Sequence, residues 1–369
     1  MDAYNSHLSK RIRVLCLVDG IVRPPDRWIW NCLPEWTQAD HVDFISTPTT
    51  DVKGVFSRIL RKYIPYIRSA IKALFHSAKG YDVVVAWELK VAFPLAVLRS
   101  LFAVKRPPLV VLDFTLKGIP ARYRWIGRFG MKSIDLGVVT STDGIERYKA
   151  ITSAPNHKFV LSLLGWHDVF AELPSNAAEI AQAAVPDLPQ KYVFAGGRSD
   201  RDYATFVKAA QGIGCPVIIN ARRFNLEIDG LPEGLRFVEL DGFANASLVT
   251  TFLLQHAYCV VIPLLPTTIG AGHLFITQAM CAGRPVIASR IGGTEDYVEH
   301  GKTGLLVDVG DVAALHAAIS YLIENPEHAE AMGYAGRKAW EERYTAEATA
   351  LRNYMHIHRM ATTSAQTTG

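Results

Sequence analysis

Residues 269–307 read IGAGHLFITQAMCAGRPVIASRIGGTEDYVEHGKTGLLV, and this stretch decides the fold prediction. Gly270 and Gly272 stand directly before a segment with helical periodicity that starts near His273. A helix start reached through glycines leaves backbone N–H groups available, and together with the positive end of the helix dipole they suit an anion such as a diphosphate. The segment 283–285 then ends the helix and launches a β-branched strand. The order of turn, helix and strand is typical of a parallel α/β unit.

Working outward, short β-branched runs alternate with longer helical patterns along the whole chain, which predicts two series of parallel α/β units. The predicted strands are 13–18, 41–46, 82–87, 109–113, 136–140 and 158–163, then 192–195, 217–220, 235–239, 257–263, 285–289 and 304–307. The predicted helices include 91–104, 204–211, 273–281, 312–323 and 326–344. Ligands of such sheets bind at the carboxyl ends of the strands.

The chain has 369 residues, which is longer than one hydrophobic core usually grows. Its 49% apolar and 20% charged residues are typical of a folded soluble protein. The sequence therefore predicts an α/β protein of two Rossmann-like domains facing each other across a cleft. Residues 1–173 form the first predicted domain, 174–189 a linker and 190–343 the second domain, with a last helix, 344–360, returning to the first domain.

The five cysteines form no CxxC pair, which argues against a zinc site or a disulfide framework and favours a reducing compartment. The residues after Met1 show no apolar leader, and no window reaches 18 consecutive apolar residues. We therefore expect a cytoplasmic protein.

The segment from Gln278 to Val307 resembles the family-4, or group 1, glycosyltransferases. The matching residues are the run QAMCAGRPVIAS at 278–289, then Gly292, Gly293, Asp296, Val298, Gly301, Thr303 and Gly304. Further back, Arg198 matches the arginine of the family's G-R turn. The resemblance implies a GT-B fold and a hexosyltransferase, expected to retain anomeric configuration, that uses a nucleotide diphosphate sugar, with UDP-sugar as the first expectation.

The resemblance places the donor in the second domain. The predicted donor-binding residues are Arg198, Arg201, Gly270, Ala271, Gly272, His273, Gln278, Gly293 and Asp296. Two glutamates of the family, eight residues apart, fall here at Gly270 and Gln278. Gln278 can still accept a hydrogen bond from a ribose hydroxyl, whereas Gly270 offers only backbone. These departures keep an alternative open, a non-catalytic GT-B relative that binds a nucleotide sugar or a partner enzyme.

Two carboxylates of the first domain end apolar strand runs: Glu88 ends DVVVAWE, and Asp113 ends PPLVVLD. We predict that they are catalytic, because partial burial raises a carboxyl pKa toward neutrality and suits general acid–base work. Either one can instead cap a helix. If the enzyme retains configuration, a donor phosphate oxygen can take the proton, and Asp113 then orients the acceptor.

The triplet 200–202 reads D-R-D, which matches the metal motif of a different glycosyltransferase fold. Here it follows the G-R turn, and we predict that it caps a helix. The expected reaction thus uses no essential metal and no cofactor, the nucleotide sugar being a substrate.

The charge of the chain is uneven: residues 1–170 carry 24 Lys and Arg against 14 Asp and Glu, although the whole chain has a net charge of only +4. Basic and aromatic residues concentrate at 53–79 and 122–132. The predicted membrane and acceptor side comprises Arg61, Lys62, Arg68, Lys72, Arg124, Trp125 and Arg128. Such segments suit an anionic bilayer, although a solvated face is the simpler alternative.

The charge brings with it no nucleic-acid-binding motif, so nucleic acid is not an expected partner. Many members of the family act on lipid-linked acceptors, so we expect a glycan or lipid-linked acceptor in cell-envelope or exopolysaccharide synthesis. A peripheral position at the inner face of the cell membrane follows from the same reasoning.

Overall fold

The computed structural model describes residues 10–20, 28–34, 37, 40–47, 55–77, 79–116, 124–222, 234–240, 243, 245–266 and 270–366. The chain divides into two compact units. Unit 1 comprises the chain up to Ser162 together with the segment from Thr349 onward, and unit 2 comprises Leu163–Ala348.

Unit 1 is built on a parallel six-stranded sheet. Its strands are β1 (Arg13–Asp19), β2 (His41–Thr47), β3 (Val83–Trp87), β4 (Leu109–Leu112), β5 (Leu136–Val139) and β6 (Phe159–Leu161). They lie in the order β2-β1-β3-β4-β5-β6, and every pair is parallel. The helices of this unit are Val55–Ser77, Leu89–Leu101, Arg124–Met131 and Thr142–Thr152, with short 3-10 turns at Trp28–Cys32 and Asn156–Lys158.

The last helix, Ala346–Gln366, covers one face of the unit 1 sheet from Thr349 onward. Its Tyr354, Ile357 and Ala361 belong to the same buried cluster as Val14 of β1. The Tyr354 hydroxyl donates a 2.6 Å hydrogen bond to Asp40. Apolar burial and one polar contact thus hold the end of the chain in the first unit.

Unit 2 is a second parallel six-stranded sheet. Its strands are β7 (Tyr192–Gly196), β8 (Val217–Asn220), β9 (Leu235–Val238), β10 (Ala257–Ile262), β11 (Val286–Ser289) and β12 (Gly304–Val307). They lie in the order β12-β11-β10-β7-β8-β9. The helices are Ala177–Ala184, Tyr203–Ala209, Ala246–His256, His273–Cys281, Val312–Glu324 and Pro326–Arg343, with a 3-10 turn at Thr294–Asp296.

Residues 174–189, which we predicted to be a linker, lie inside unit 2. They contain the helix Ala177–Ala184, whose Ala181 is fully buried in the same cluster as Val249 and Leu253 of the helix Ala246–His256. Alanine has a high helix propensity and lets a helix pack closely against its neighbour. The alanine-rich composition was therefore a sign of a packed helix, not of a linker.

The prediction of two parallel α/β sheets is confirmed. In each sheet the strand order reverses at one place, between β1 and β3 in unit 1 and between β7 and β10 in unit 2. Loops that leave the carboxyl ends of neighbouring strands on either side of such a reversal separate and open a crevice, which is where doubly wound proteins bind ligands. These two positions are therefore the expected ligand-binding crevices of the two sheets.

Candidate functional sites

Unit 2 has a cavity of 510 Å³. Its walls come from the loop after β7, the ends of β8 and β9, and the helices Ala246–His256 and His273–Cys281. The lining residues are Val169, Gly197, Arg198, Asn220, Ala221, Leu240, Ala246, Ser247, Thr250, Thr251, Leu254, Leu274, Phe275 and Gln278. The cavity therefore lies at the carboxyl edge of the sheet, beside the reversal of strand order.

Two side chains, Arg201 and Tyr203, hold the loop after β7 by donating hydrogen bonds to its backbone carbonyls. Arg201 donates hydrogen bonds to the carbonyl oxygens of Gly196 (2.9 Å) and Ser199 (2.7 Å). The Tyr203 hydroxyl donates to the Gly197 carbonyl at 2.7 Å. These bonds hold the loop in one shape and leave Arg198, an exposed residue, at the cavity wall.

Arg198 and Arg201 thus differ in a way the sequence did not show. We predicted phosphate contacts for both, but Arg201 is only 8% exposed and its guanidinium binds backbone carbonyls. A buried arginine occupied in this way supports the loop and is poorly placed to bind a substrate phosphate. Arg198 is the cation that the cavity itself presents.

The glycines of this loop are required by space and by backbone geometry. A Cβ on Gly196 would lie 2.7 Å from Cζ of Phe275. Gly197 has φ +108°, and a Cβ there would overlap the Arg201 guanidinium. Only glycine permits this conformation without strain, so the loop can bring its backbone close to a ligand.

The helix His273–Cys281 begins at Gly272, whose φ is +85°. Leu274, Phe275 and Gln278 of this helix line the cavity. Gln278, which stands at the position of the family's second glutamate, therefore lies at the cavity wall.

His273 has a supporting position instead of the predicted donor contact. Its ring is 1% exposed, its Nε2 lies 2.8 Å from the Gly292 carbonyl, and it stacks on Tyr297 with centroids 4.5 Å apart. Because the carbonyl can only accept, Nε2 donates this bond. His273 thereby ties the start of the helix to the turn at Gly292 and Gly293.

The remaining predicted donor residues are not among the described residues that line the cavity. Ala271 is buried, at 3% exposure, directly before the helix. Gly293 has φ +82° and precedes the turn Thr294–Asp296, where the Tyr344 hydroxyl donates to the Asp296 carbonyl. Gly270 is half-buried, and the segment 267–269 before it lies outside the described residues.

The predicted site residues did not include Asn220 and Thr250, which form a further wall of the cavity. Asn220, at the end of β8, donates from Nδ2 to the Thr250 hydroxyl at 3.0 Å, and that hydroxyl donates to the Ala246 carbonyl at 2.8 Å. Both side chains line the cavity together with apolar Leu240 and Leu254. A polar residue at the end of a strand was the available signal, because strand ends were already the expected ligand edge.

The D-x-D-like triplet caps a helix, as predicted. Asp202 precedes the helix Tyr203–Ala209 and accepts hydrogen bonds from the Thr205 backbone N–H (3.0 Å) and hydroxyl (2.7 Å). This is the usual role of aspartate at a helix N-terminus.

In unit 1, three carboxylates stand side by side at the reversal point. The register pairs Leu17 of β1 with Ala86 of β3, and Trp87 of β3 with Leu112 of β4. Continuing it to the end of each strand puts Asp19, Glu88 and Asp113 at the same level. Neighbouring strands lie about 4.8 Å apart, so these residues form one row along the carboxyl edge.

A lysine joins the first two members of this row. Lys90 Nζ lies 2.7 Å from Asp19 and 2.8 Å from Glu88. The Tyr66 hydroxyl donates to Asp19 at 3.2 Å. The predicted site residues did not include Asp19, Tyr66 or Lys90. Tyr66 and Lys90 are 47 and 71 residues from Asp19 in the sequence, and they are adjacent to it only in the folded chain.

The surroundings of Asp113 alter its acidity. Burial, and secondly the negative charge of Glu88, raise the pKa of Asp113, and the Thr115 hydroxyl donates to it at 3.3 Å. Glu88 and Asp113 both have positive φ, +66° and +45°. Left-handed backbone at residues other than glycine is strained and concentrates at functional sites, which supports their selection as candidates.

The predicted membrane side of unit 1 is partly described. Arg68, Lys72 and Arg128 are exposed, and Trp125 is 67% exposed. The helix Val55–Ser77 also exposes the apolar residues Tyr63, Ile64, Ile67, Ile71 and Phe75. The side chains of Arg61, Lys62 and Arg124 lie outside the described residues. None of the described helices has both the length and the apolar character needed to cross a membrane.

Comparison with known families finds a match in unit 2 and a shared fold over the whole chain. Residues 242–339, all within unit 2, match the family of glycosyl transferases group 1. A solved glycosyltransferase from Rickettsia africae matches with a TM-score of 0.69 at 13% identity, covering 95% of this chain and 99% of its own. Anabaena Alr3699/HepE, solved with UDP, matches with a TM-score of 0.62 at 15% identity over 93% of this chain and 98% of its own. At these identities the structural likeness shows the fold.

Curated relatives match over shorter segments. A GDP-mannose-dependent alpha-(1-6)-phosphatidylinositol monomannoside mannosyltransferase of Mycolicibacterium smegmatis is 44% identical over 68 residues, 18% of each chain. The D-rhamnosyltransferase WbpZ of Pseudomonas aeruginosa is 31% identical over 163 residues, 43% of this chain and 42% of its own. The matched segments thus span less than half of these relatives. Unit 2 thus matches the glycosyl transferases group 1, and the chain as a whole has the GT-B fold, as the resemblance predicted.

Proposed function

We propose that the protein transfers a glycosyl group from a nucleoside diphosphate sugar, bound in the unit 2 cavity, to a hydroxyl of an acceptor. The main support for this proposal is the cavity. Arg198 and Gln278 line it, glycines bound it, and it lies at the carboxyl edge of a doubly wound sheet. In this proposal Arg198 binds the diphosphate, because a guanidinium matches phosphate oxygens in charge and geometry. Gln278 accepts from a ribose hydroxyl.

The nucleobase of the donor needs a partly apolar binding surface. We assign the nucleobase to the wall formed by Asn220, Leu240, Thr250 and Leu254, where apolar surface adjoins amide and hydroxyl groups. UDP-sugar remains the first expectation, supported by the fold shared with a protein solved with UDP. GDP-sugar is the competing choice, supported by the name of the mycolicibacterial relative.

The carboxylate row of unit 1 supplies the acceptor chemistry in this proposal. The acceptor oxygen attacks the anomeric carbon, the bond from that carbon to the diphosphate breaks, and the nucleoside diphosphate leaves. The hydroxyl proton passes either to Asp113, whose raised pKa makes it a competent base, or to an oxygen of the leaving phosphate. The second route belongs to a retaining reaction, in which Asp113 orients the acceptor.

Calorimetric titration with UDP, GDP and ADP tests the donor site. We expect one nucleotide to bind, and binding to persist in EDTA because Arg198 supplies the positive charge that a metal provides elsewhere. Arg198→Ala should weaken binding at least about tenfold, or 1.4 kcal/mol. Lys338→Ala removes an exposed cation of unit 2 outside the cavity lining and should leave the affinity unchanged.

Each outcome of this titration bears on the proposal. Failure of all three nucleotides to bind, or equal loss in both variants, overturns the donor site. Loss of nucleotide binding in EDTA overturns only the claim that binding needs no metal ion. Binding without release of sugar from any UDP- or GDP-hexose supports the non-catalytic relative, which the glycine at position 270 already suggested.

We further propose that unit 1 meets an anionic membrane, where a lipid-linked acceptor would be found. The helix Val55–Ser77 exposes Ile64, Ile67 and Ile71 on one side, and Arg68 and Lys72 are exposed on the same helix. Apolar residues flanked by cations are typical of helices that lie in the bilayer interface.

Vesicle flotation tests the membrane contact. The protein should float with vesicles containing phosphatidylglycerol and much less with phosphatidylcholine alone. Ile67→Asp should reduce flotation, whereas Tyr334→Asp, at an exposed aromatic residue of unit 2, should not. Equal flotation of the two variants, or no preference for the anionic lipid, contradicts the proposed contact.

A further inference from the structure

The row of Asp19, Glu88 and Asp113 raises an electrostatic problem that the sequence did not show. Three carboxylates at successive strand ends repel one another, and repulsion between like charges favours the protonated form of the least solvated member. Lys90 contacts Asp19 and Glu88 and leaves Asp113 as the third member. The arrangement is therefore asymmetric, with one cation shared by two of three acids.

We propose that Lys90 is a positioning residue, whose ammonium group binds the carboxylates of Asp19 and Glu88 and sets the charge balance at Asp113. This inference rests on the proposed function, in which Asp113 acts on the acceptor hydroxyl. It adds a role for Lys90 and Asp19, neither of which the sequence resemblance singles out.

The geometry supports this division of roles. Lys90 stands in the first turn of the helix Leu89–Leu101, two residues after Glu88, and its ammonium group reaches back to the strand ends at Asp19 and Glu88. Burial alone lowers the pKa of Lys90, but its hydrogen bonds to Asp19 and Glu88 outweigh this and raise it. The ammonium group is therefore charged at any pH at which the enzyme works.

The neighbourhood of Asp113 contains few other described charges. Besides Glu88 and Lys90, the titratable group that interacts with it is Tyr148 on the helix Thr142–Thr152, which also interacts with Arg147 and Asp143 of the same helix. Tyr148 is buried, and burial raises its pKa, so it stays neutral. The charge balance at Asp113 thus depends mainly on Glu88, which repels its ionised form, and on Lys90, which attracts it.

Carboxyl NMR of the full chain with [4-13C]aspartate measures this directly, with Asp113→Asn used to assign the resonance. In the unaltered protein Asp113 should titrate above the usual aspartate range. Lys90→Met removes the charge at similar length, and Asp113 should then titrate about one pH unit higher still. Lys90→Arg keeps the charge and should restore the original titration.

Two further variants separate this role from a loss of folding. Lys105→Met changes an exposed lysine beyond the far end of the same helix, roughly 20 Å away, and should leave the titration of Asp113 unchanged. Asp19→Asn frees Lys90 for Glu88 and should lower the Asp113 pKa. The proposal is overturned if Asp113 titrates alike in the unaltered protein and Lys90→Met, or if Lys90→Arg behaves like Lys90→Met.

The titration needs no substrate, so its result is independent of the proposed transfer. An Asp113 pKa that follows Lys90 in a protein without transferase activity would uphold the electrostatic role and reject the function. Transferase activity with an Asp113 pKa indifferent to Lys90 would do the reverse.

Discussion

The two sheets have the same parallel architecture, yet their functional edges are opposite in chemistry. The edge of unit 2 is made of Gly196, Gly197 and Gly272 with an exposed Arg198. The edge of unit 1 carries Asp19, Glu88 and Asp113, two of them in strained left-handed backbone. Glycines let a backbone approach a phosphate, whereas carboxylates bind hydroxyl groups and protons. In the proposed function, the same framework therefore forms a donor edge in unit 2 and an acceptor edge in unit 1, according to the residues that follow its strands.

The largest effect on the rate of transfer should come from removing Asp113, the proposed general base. Asp113→Asn should lower transfer about 10²- to 10⁴-fold with nucleotide affinity unchanged, because general base catalysis contributes that much. The control is nucleotide calorimetry on the same preparation. A variant that keeps full activity would assign proton removal to the donor phosphate and leave Asp113 without a base's role.

The same carboxyl predicts the pH dependence of the unaltered enzyme. Burial and the charge of Glu88 raise the pKa of Asp113, and a base acts only when ionised. The value of kcat/KM should therefore be constant above the raised pKa and fall as the pH drops through it, at a higher pH than an ordinary aspartate would give. An acidic limb in the usual aspartate range would contradict this.

A methyl group on the donor edge should damage both stability and binding. Gly197→Ala places Cβ against the Arg201 guanidinium in a backbone conformation unfavourable to alanine. We expect a loss of about 1–3 kcal/mol in unfolding free energy, together with weaker nucleotide binding. Gly212→Ala is a suitable control, since it shares a positive φ but meets nothing within 4 Å. If the two variants are equally destabilised, strain alone is responsible and the overlap with Arg201 is not.

On the acceptor edge, a glycine should be better tolerated than an alanine at position 113. Asp113→Gly and Asp113→Ala both remove the carboxylate, but only glycine tolerates φ +45° without cost. The glycine variant should be the more stable by about 1 kcal/mol in urea unfolding, although both should be inactive. A more stable alanine variant would show that the left-handed conformation relaxes when the carboxylate is lost.

The smallest expected effect concerns the cavity wall formed by Asn220 and Thr250. Thr250→Val keeps the shape of the side chain but removes the hydrogen bond that orients Asn220. Nucleotide affinity should fall by about 0.5–1.5 kcal/mol, the net contribution of one such bond. Thr251→Val, whose hydroxyl donates to the Ser247 carbonyl within the same helix, gives the matched comparison. If both variants change nucleotide affinity equally, the nucleobase binds elsewhere in the cavity.

Much of the fold could be predicted because strands and glycine turns leave local signals. The twelve strands of the described residues lie where β-branched runs placed them, and the helix His273–Cys281 has the predicted bounds. The helix Ala177–Ala184 was missed because alanine-rich segments carry little hydrophobic periodicity. The helices Ala246–His256 and Thr142–Thr152 were likewise not specified, and the first of these supplies a wall of the cavity.

The sequence by itself determined two parallel α/β sheets, the family resemblance, and the glycine-bounded turn with Gln278, since each of these depends on residues close together in the chain. Only the tertiary structure decided which arginine faces the cavity, because Arg198 and Arg201 differ by three positions but point to different surroundings. It also brought Lys90 to Asp19, and Asn220 to Thr250, across 71 and 30 residues. Burial and partner choice are properties of the packed chain, and they set the charge and the reach of each side chain.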